Sequence, residues 1–290
     1  MTERLAEIDA RVGGIRQLGS VVNAMRGIAA ARARQADTQL AAVDRYAAII
    51  VAAIRQALAL SPESRPDPVR PYSPGSGART AMVVFCAEQG FAGAFSQRVL
   101  DVAGDELAQG ELFLIGTRGN TALRERGIEA GWTCAMPARS PGIPKLADRI
   151  TEAVSGRIAR GAVDRLEVVF SRWHPGAGIT VERRPLFPFD LAAFGRPPQA
   201  NPPLLYLAPR ILLQDLTADY MHAQLCQAAL HGFAAENQAR MQAMAAAHTQ
   251  IDRELSVLEA TQRIVRQEEI TAEIIELAAG ETASRSGFGQ

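Results

Sequence analysis

Residues 17–36 read QLGSVVNAMRGIAAARARQA. Apolar or small residues recur there at alternating steps of three and four, the spacing that lines them along one side of a helix. The pattern extends well beyond this stretch. Leu5, Ile8, Val12, Ile15, Gly19, Val22, Met25, Ala29, Ala33, Ala36, Leu40, Val43, Ala47, Ile50, Ile54 and Ala57 nearly keep it throughout the N-terminal segment, which is the mark of a coiled-coil seam. Its middle is thin, with glycine and alanine where a core helix places leucine. Small residues at Gly19, Ala29, Ala33 and Ala36 let two helix backbones approach closely.

Proline shows where such helices can run. All sixteen prolines fall between Pro62 and Pro209, leaving residues 1–61 and 210–290 without any. One proline inside a helix costs about 3 kcal/mol. The C-terminal segment carries a second, less regular seam: Leu213, Leu216, Tyr220, Ala223, Gln227, Leu230, Ala234, Asn237, Met241, Met244, His248, Ile251, Leu255 and Leu258. Ile270, Ile274 and Leu277 continue it with a shifted phase. At about 1.5 Å per residue the two helices span roughly 85 and 105 Å, so neither fits inside one globule and they are expected to pack on each other. Both join the central segment at their inner ends, which makes them antiparallel, with the longer C-terminal helix projecting past its partner. Charge agrees: Arg11, Arg16, Arg26, Arg32 and Arg34 face no acid between Asp9 and Asp37, while Asp252, Glu254, Glu259, Glu268, Glu269, Glu273, Glu276 and Glu281 crowd the far end.

Between the helices, RTAMVVFCA (79–87), ELFLIG (111–116), DRLEVVFSR (164–172) and GITVERRPLFPFD (178–190) read as strands. Helices are expected at 94–109, near 117–127 and at 144–159. That alternation predicts a small α/β domain with a largely parallel sheet. The domain order is a coiled-coil helix over 1–61, a linker over 62–78, an α/β foot over 79–203, a second coiled-coil helix over 204–280 and a flexible tail over 281–290.

The balance of 31 basic and 31 acidic residues gives no reason to expect a nucleic-acid partner. Lys145 is the only lysine, which reads as coding bias rather than chemistry. Cys86, Cys134 and Cys226 fit neither a disulfide framework nor a zinc motif, and free thiols suit a reducing compartment. The opening MTERLAEIDAR lacks the apolar core of a signal peptide, and no uncharged run approaches eighteen residues, so no transmembrane span is expected. A soluble, cytoplasmic chain follows.

Candidate chemistry is sparse. EQGFAGAF (88–95) follows a strand and opens a helix, where phosphate loops sit, yet it matches neither GxGxxG nor GxxxxGK[ST]; Gly90 and Gly93 are read as serving a tight turn. His174, His222, His231 and His248 have no metal-ligand spacing, and no GxSxG, HExxH or Cys/His dyad is evident. No catalytic residue, cofactor or metal site is expected.

The motifs nonetheless resemble a known family, the gamma subunit of F-type ATP synthases. NAMRGIAAARARQA keeps the Ala24–Met25 of its KAM pattern, the small pair Ala29–Ala30 and basic Arg32 and Arg34. FCAEQGFAGAF resembles its strand and GLCGGLN-type turn, and ELFLIGTRG its LIGxKG strand and turn. AAENQARMQAMAAAHTQID is similar to SEHAARMxAMxxAT, and VRQEEITAEIIELAAG to ARQAxITxELxEIVxG. The matches run in order from residue 11 to 280. Gly27, Asn23 and a turn without the usual aspartate and cysteine depart from the pattern, leaving open a standard gamma chain or a divergent second copy.

The resemblance implies an antiparallel coiled coil carrying a Rossmann-like α/β domain, a rotor turning inside a hexamer of alpha and beta subunits. It implies the epsilon subunit and the membrane c-ring as further partners, and a peripheral place on the cytoplasmic face of a bacterial inner membrane. It also implies partner contacts at Met25, Arg32, Arg34, Arg240, Arg266, Gln267 and Thr271, with Arg240 facing an acidic loop of beta. Two other readings stand beside it: a structural tether with an α/β head, and an α/β enzyme dimerised by its helices.

Overall fold

The computed structural model describes residues 3–60, 79–189 and 205–287. The expected linker at 62–78 lies outside those residues, as does GRPPQANPP (195–203), the proline-rich stretch that leads to the second long helix. In order, the elements are α1 (Glu3–Leu60), β1 (Thr80–Phe85), α2 (Phe95–Ala103), β2 (Glu111–Ile115), α3 (Arg118–Glu125), β3 (Trp132–Cys134), α4 (Ile143–Ala159), β4 (Arg165–His174), β5 (Gly178–Phe187) and α5 (Pro209–Gly287). A 3₁₀ turn, Gly104–Ala108, follows α2. The helix α5 continues through the start of the stretch expected to form a tail from 281.

Two compact units form, Met1–Ile28 with Met241–Gln290, and Ala29–Arg240. The long helices contribute to both.

In the first unit the two helix ends run antiparallel. Arg4 meets Glu268 at 3.7 Å and Arg16 meets Glu259 at 2.7 Å, with Asp9 accepting a hydrogen bond from Gln262. These pairs are largely exposed and contribute at most about 1 kcal/mol each; burial of Leu5, Val12 and Val22 does more. At Gly19 an added Cβ would sit 3.3 Å from the Ile251 Cγ2, so the glycine sets the closeness of the helices there.

The second unit is built on a five-stranded sheet of order β3-β2-β1-β4-β5. The first four strands pair in parallel and β5 closes the sheet antiparallel against β4, with an irregularity at Leu166/Glu167 opposite Pro185 and Phe187. Alternation places Met82 and Val84 on one face with α2 and α3, through Phe95, Val99, Leu100 and Leu123. Ala81, Val83 and Phe85 lie on the other face with α4 and with both long helices, through Ile143, Ile150, Ala36, Leu40, Leu225 and Phe233. Three-residue β3 had no counterpart in the sequence reading, because GWTC among glycines and prolines shows no period.

The α/β core is not self-contained. From Met221 to Arg240 no residue of α5 is exposed, since this stretch packs on the sheet and on α1 together. That explains why its seam reads less cleanly: a helix covered all round has no polar face. The α1 seam, by contrast, is confirmed at every position named above, each buried or half-buried, while Leu18, Val21 and Ile28 are exposed.

Gly19→Leu is expected to lower the urea midpoint by the equivalent of about 1–3 kcal/mol through overpacking against Ile251. Gly19→Ala, which gains about 1 kcal/mol of helix propensity while displacing Ile251 slightly, should leave it nearly unchanged. Equal midpoints for Gly19→Leu and wild type in circular-dichroism titrations would remove the close-approach role.

Candidate functional site

β1 ends at the point where the strand order reverses, with β2 on one side and β4 on the other. In open parallel sheets this is where ligands bind, beyond the carboxyl ends of the strands. The chain leaves β1 through Cys86–Ala94 and enters α2 at Phe95, turning on Gly93 (φ 60°) and Phe91 (φ 62°). Phe91 is the one non-glycine residue with positive φ among the described residues, and its side chain is 66% exposed. Gly116, after β2, is required by close approach: its φ is 95° and a Cβ would lie 2.2 Å from the Cys86 carbonyl oxygen.

Three successive backbone donors of this turn, of the kind that in a nucleotide-binding protein face phosphate, are already used. The Ala87 N–H donates to the Ser96 hydroxyl at 3.1 Å. The Glu88 and Gln89 N–H groups donate to the two carboxylate oxygens of Glu236, each at 3.1 Å. Arg240, one helical turn further along α5, donates to Glu236, to the Asn237 side-chain oxygen at 3.0 Å and to the Gly90 carbonyl at 3.0 Å. Glu236, Asn237 and Arg240 are 3%, 2% and 4% exposed, so the charges are compensated where water cannot help. From α1, Arg32 donates to the Gln89 Oε1 at 3.0 Å. The Glu88 carboxylate accepts from Thr117 after β2 and from the Met136 N–H after β3. One turn thus holds three strand ends and two long helices of this unit.

Arg240, expected at a partner contact, is buried here, and three internal acceptors direct its guanidinium to the turn. Arg32 is half-buried on the same turn, and Arg34 is exposed in the same unit. Met25 is half-buried in the first unit, where Arg266, Gln267 and Thr271 are exposed on α5; the Thr271 hydroxyl donates to the Gln267 carbonyl at 2.8 Å. The structure therefore separates the expected contact residues into an inward group and an outward one. Glu236 and Glu88 were missed. For Glu236 the available signal was an Arg four residues further on, the spacing of a helical ion pair.

Other chemistry is weaker. Cys226 lies 3.9 Å from both ring nitrogens of His222, and His222 Nε2 is 3.0 Å from Asp148, a dyad the sequence reading did not find. Burial pushes the Cys226 thiol up to about 12, so it is not a thiolate nucleophile at neutral pH. Beside it an open groove of about 540 Å³ is lined by Tyr46, Asp148, Thr151, Glu152, Asp219 and His222. Among the described residues no group of His, Cys, Asp and Glu is arranged to hold a metal ion, and no helix is long and apolar enough to cross a membrane.

A doubly wound α/β unit whose switch-point turn is bonded by its own C-terminal helix, and a unit of two antiparallel helix ends, define the class of fold. Its lineage is also clear. The chain belongs to the ATP synthase family, whose model matches residues 4–283. Its curated relatives include the ATP synthase gamma chain of Frankia casuarinae, 28% identical with 99% of this chain and all of the relative covered. That of Chlorobium limicola is 25% identical over 97% and 99%. Among solved structures, the rotor of the Euglena gracilis mitochondrial ATP synthase matches with a TM-score of 0.60 at 14% identity, covering 92% of this chain and 99% of that one. The central stalk of the Tetrahymena thermophila enzyme matches at 0.56 and 16% identity, over 78% and 99%. These two show the shared fold.

His231 of α5 stacks on Phe170 with ring centroids 5.8 Å apart. Burial, then the positive charges of Arg172 and Arg184, push it down to about 4 against the opposing pull of Glu182 and Asp44. Between about pH 6.5 and 4 the unfolded chain therefore binds the proton that the folded chain refuses, and stability falls as pH falls. His231→Gln should flatten that part of the stability–pH profile measured by urea unfolding; an unchanged slope would show that other groups set it.

Proposed function

We propose that this chain is the central-stalk gamma subunit of an F-type ATP synthase, coupling ion flow through a membrane ring to ATP synthesis or hydrolysis by rotating within a hexamer of alpha and beta subunits. The observation that carries the reading is the family match over 4–283 together with end-to-end similarity to ATP synthase gamma chains. The chain performs no bond chemistry and holds no cofactor. It acts through differential contact: an asymmetric surface that favours a different conformation at each catalytic interface shifts nucleotide affinity there, and turning it moves that preference from site to site. The epsilon subunit and the c-ring are its other partners, and it sits peripherally at the cytoplasmic face of a bacterial inner membrane through the complex.

Surface character supports the reading. Every residue from Ile270 to Ala279 of α5 is exposed, and Ile270, Ile274, Ile275 and Leu277 leave half or more of their surface in water. Such a patch is a liability on a free chain and an asset in an apolar socket. The nearby Arg266 and Gln267 are exposed and offer polar groups to a partner beside that patch.

Purification of the tagged chain from its organism should yield three copies each of two nucleotide-binding subunits with one copy of this chain by intact-complex mass spectrometry; a homodimer alone would favour the tether. Within that complex, Arg266→Ala with Gln267→Ala is expected to lower ATP-driven pumping per ATP hydrolysed roughly fivefold, the equivalent of about 1 kcal/mol of differential contact, with folding intact. Wild-type pumping in the double variant would count against the contact role.

A further inference from the structure

We infer that Glu236 is an intramolecular ligand of the β1 turn: its carboxylate takes the place that a bound anion occupies in a ligand-binding sheet of this kind, and by doing so makes Glu236 a positioning residue for coupling. The inference rests, for its coupling half, on the rotor reading above; the ligand half stands on geometry alone. The two Glu236 oxygens each accept one backbone N–H, from Glu88 and Gln89 at 3.1 Å. Two adjacent amides converging on one carboxylate are the donor arrangement that phosphate loops offer to an anion. The site lies at the switch point of the strand order. Arg240 supplies the countercharge and closes the third side by donating to Gly90.

The consequence is mechanical. A turn at the end of a strand is ordinarily the most mobile part of its sheet. Here Glu236 fixes it to a helix with no exposed residue between Met221 and Arg240, Arg32 fixes Gln89 to α1, and Glu88 ties the same turn to Thr117 and Met136. Phe91, which follows these hydrogen-bonded residues, has a positive φ and an exposed ring. Any load applied to this unit from α1 or α5 reaches the ends of β1, β2 and β3 through these bonds, and among the described residues Glu236 is the one side chain that holds two of the turn's amides at once.

The experiment compares Glu236→Gln and Glu236→Ala with wild type in the full chain and in the assembled complex. Hydrogen exchange at Glu88 and Gln89 should accelerate by about tenfold or more, the loss of hydrogen bonds to a charged acceptor, while Val83 and Val84 within β1 keep their protection. Added formate or acetate should restore slow exchange in Glu236→Ala by refilling the vacated position, and should not alter wild type. In the complex, pumping per ATP hydrolysed should fall in both variants with composition unchanged, and Glu236→Ala should regain it with acetate. Unchanged exchange at Glu88 and Gln89, or acceleration spread evenly through β1, overturns the ligand assignment. Faster exchange with unaltered coupling overturns the positioning role. A wild-type chain that enters no hexameric complex defeats the rotor reading instead, and leaves the exchange and anion-rescue results to decide on Glu236.

Discussion

The constraint on which the second unit depends is the packing of α5 between Met221 and Arg240, where every residue is buried or half-buried. A helix with partners on every side cannot use large residues everywhere, and this one alternates bulk with Ala223, Ala228, Ala229, Ala234, Ala235 and Ala239. Gly232 sits where a Cβ would only touch Phe85. The small side chains of α1 at Ala29, Ala33 and Ala36 follow the same logic, since close helices bury little area per residue and rely on many weak contacts at optimal distance. Closeness here replaces bulk as the source of cohesion.

The charged residues buried in this interior have partners fixed by the fold. Glu236 and Arg240 are one case. Glu167, 5% exposed, is another: it accepts from Arg165 at 2.8 Å and from Arg183, which also reaches Glu106. Burying an ion pair contributes little net stability, but removing one partner costs about 3–5 kcal/mol because the other is left charged in a poor solvent. Such pairs therefore select one arrangement of strands and helices over near alternatives more than they strengthen it. The two clusters lie at different places on the sheet, Glu167 within β4 and Glu236 beyond the end of β1, so the sheet is pinned to its surroundings at two separated points.

Much of this was legible in the residues. The α1 seam is a strong period sustained over many turns, and its sixteen positions are the ones the structure buries or half-buries. Strands β1, β2 and β4 announced themselves as apolar runs between turn residues. Other features could not be read because they depend on distant partners. The shared core between α5 and the sheet made the second seam look irregular, and β3 is set by pairing with β2 rather than by its own three residues. Arg240 carried a plausible motif, but whether a cation in that motif points out or in is decided by Glu236 and Gly90, and Gly90 is 150 positions away. The exposed Arg266, Gln267 and Thr271 are legible as surface residues; their role depends on molecules outside the chain.

The sheet's two margins deserve a different kind of notice. On one side stands β3, only three residues long. On the other stands β5, where Glu182, Arg183 and Arg184 are followed by Pro185, a residue with no N–H to give. A short margin and a charged, proline-marked one are poor templates for another strand. Neighbours of this protein are thereby confined to reading its side chains, and a crowded solution of identical copies has no easy route to stacking sheet upon sheet edge to edge.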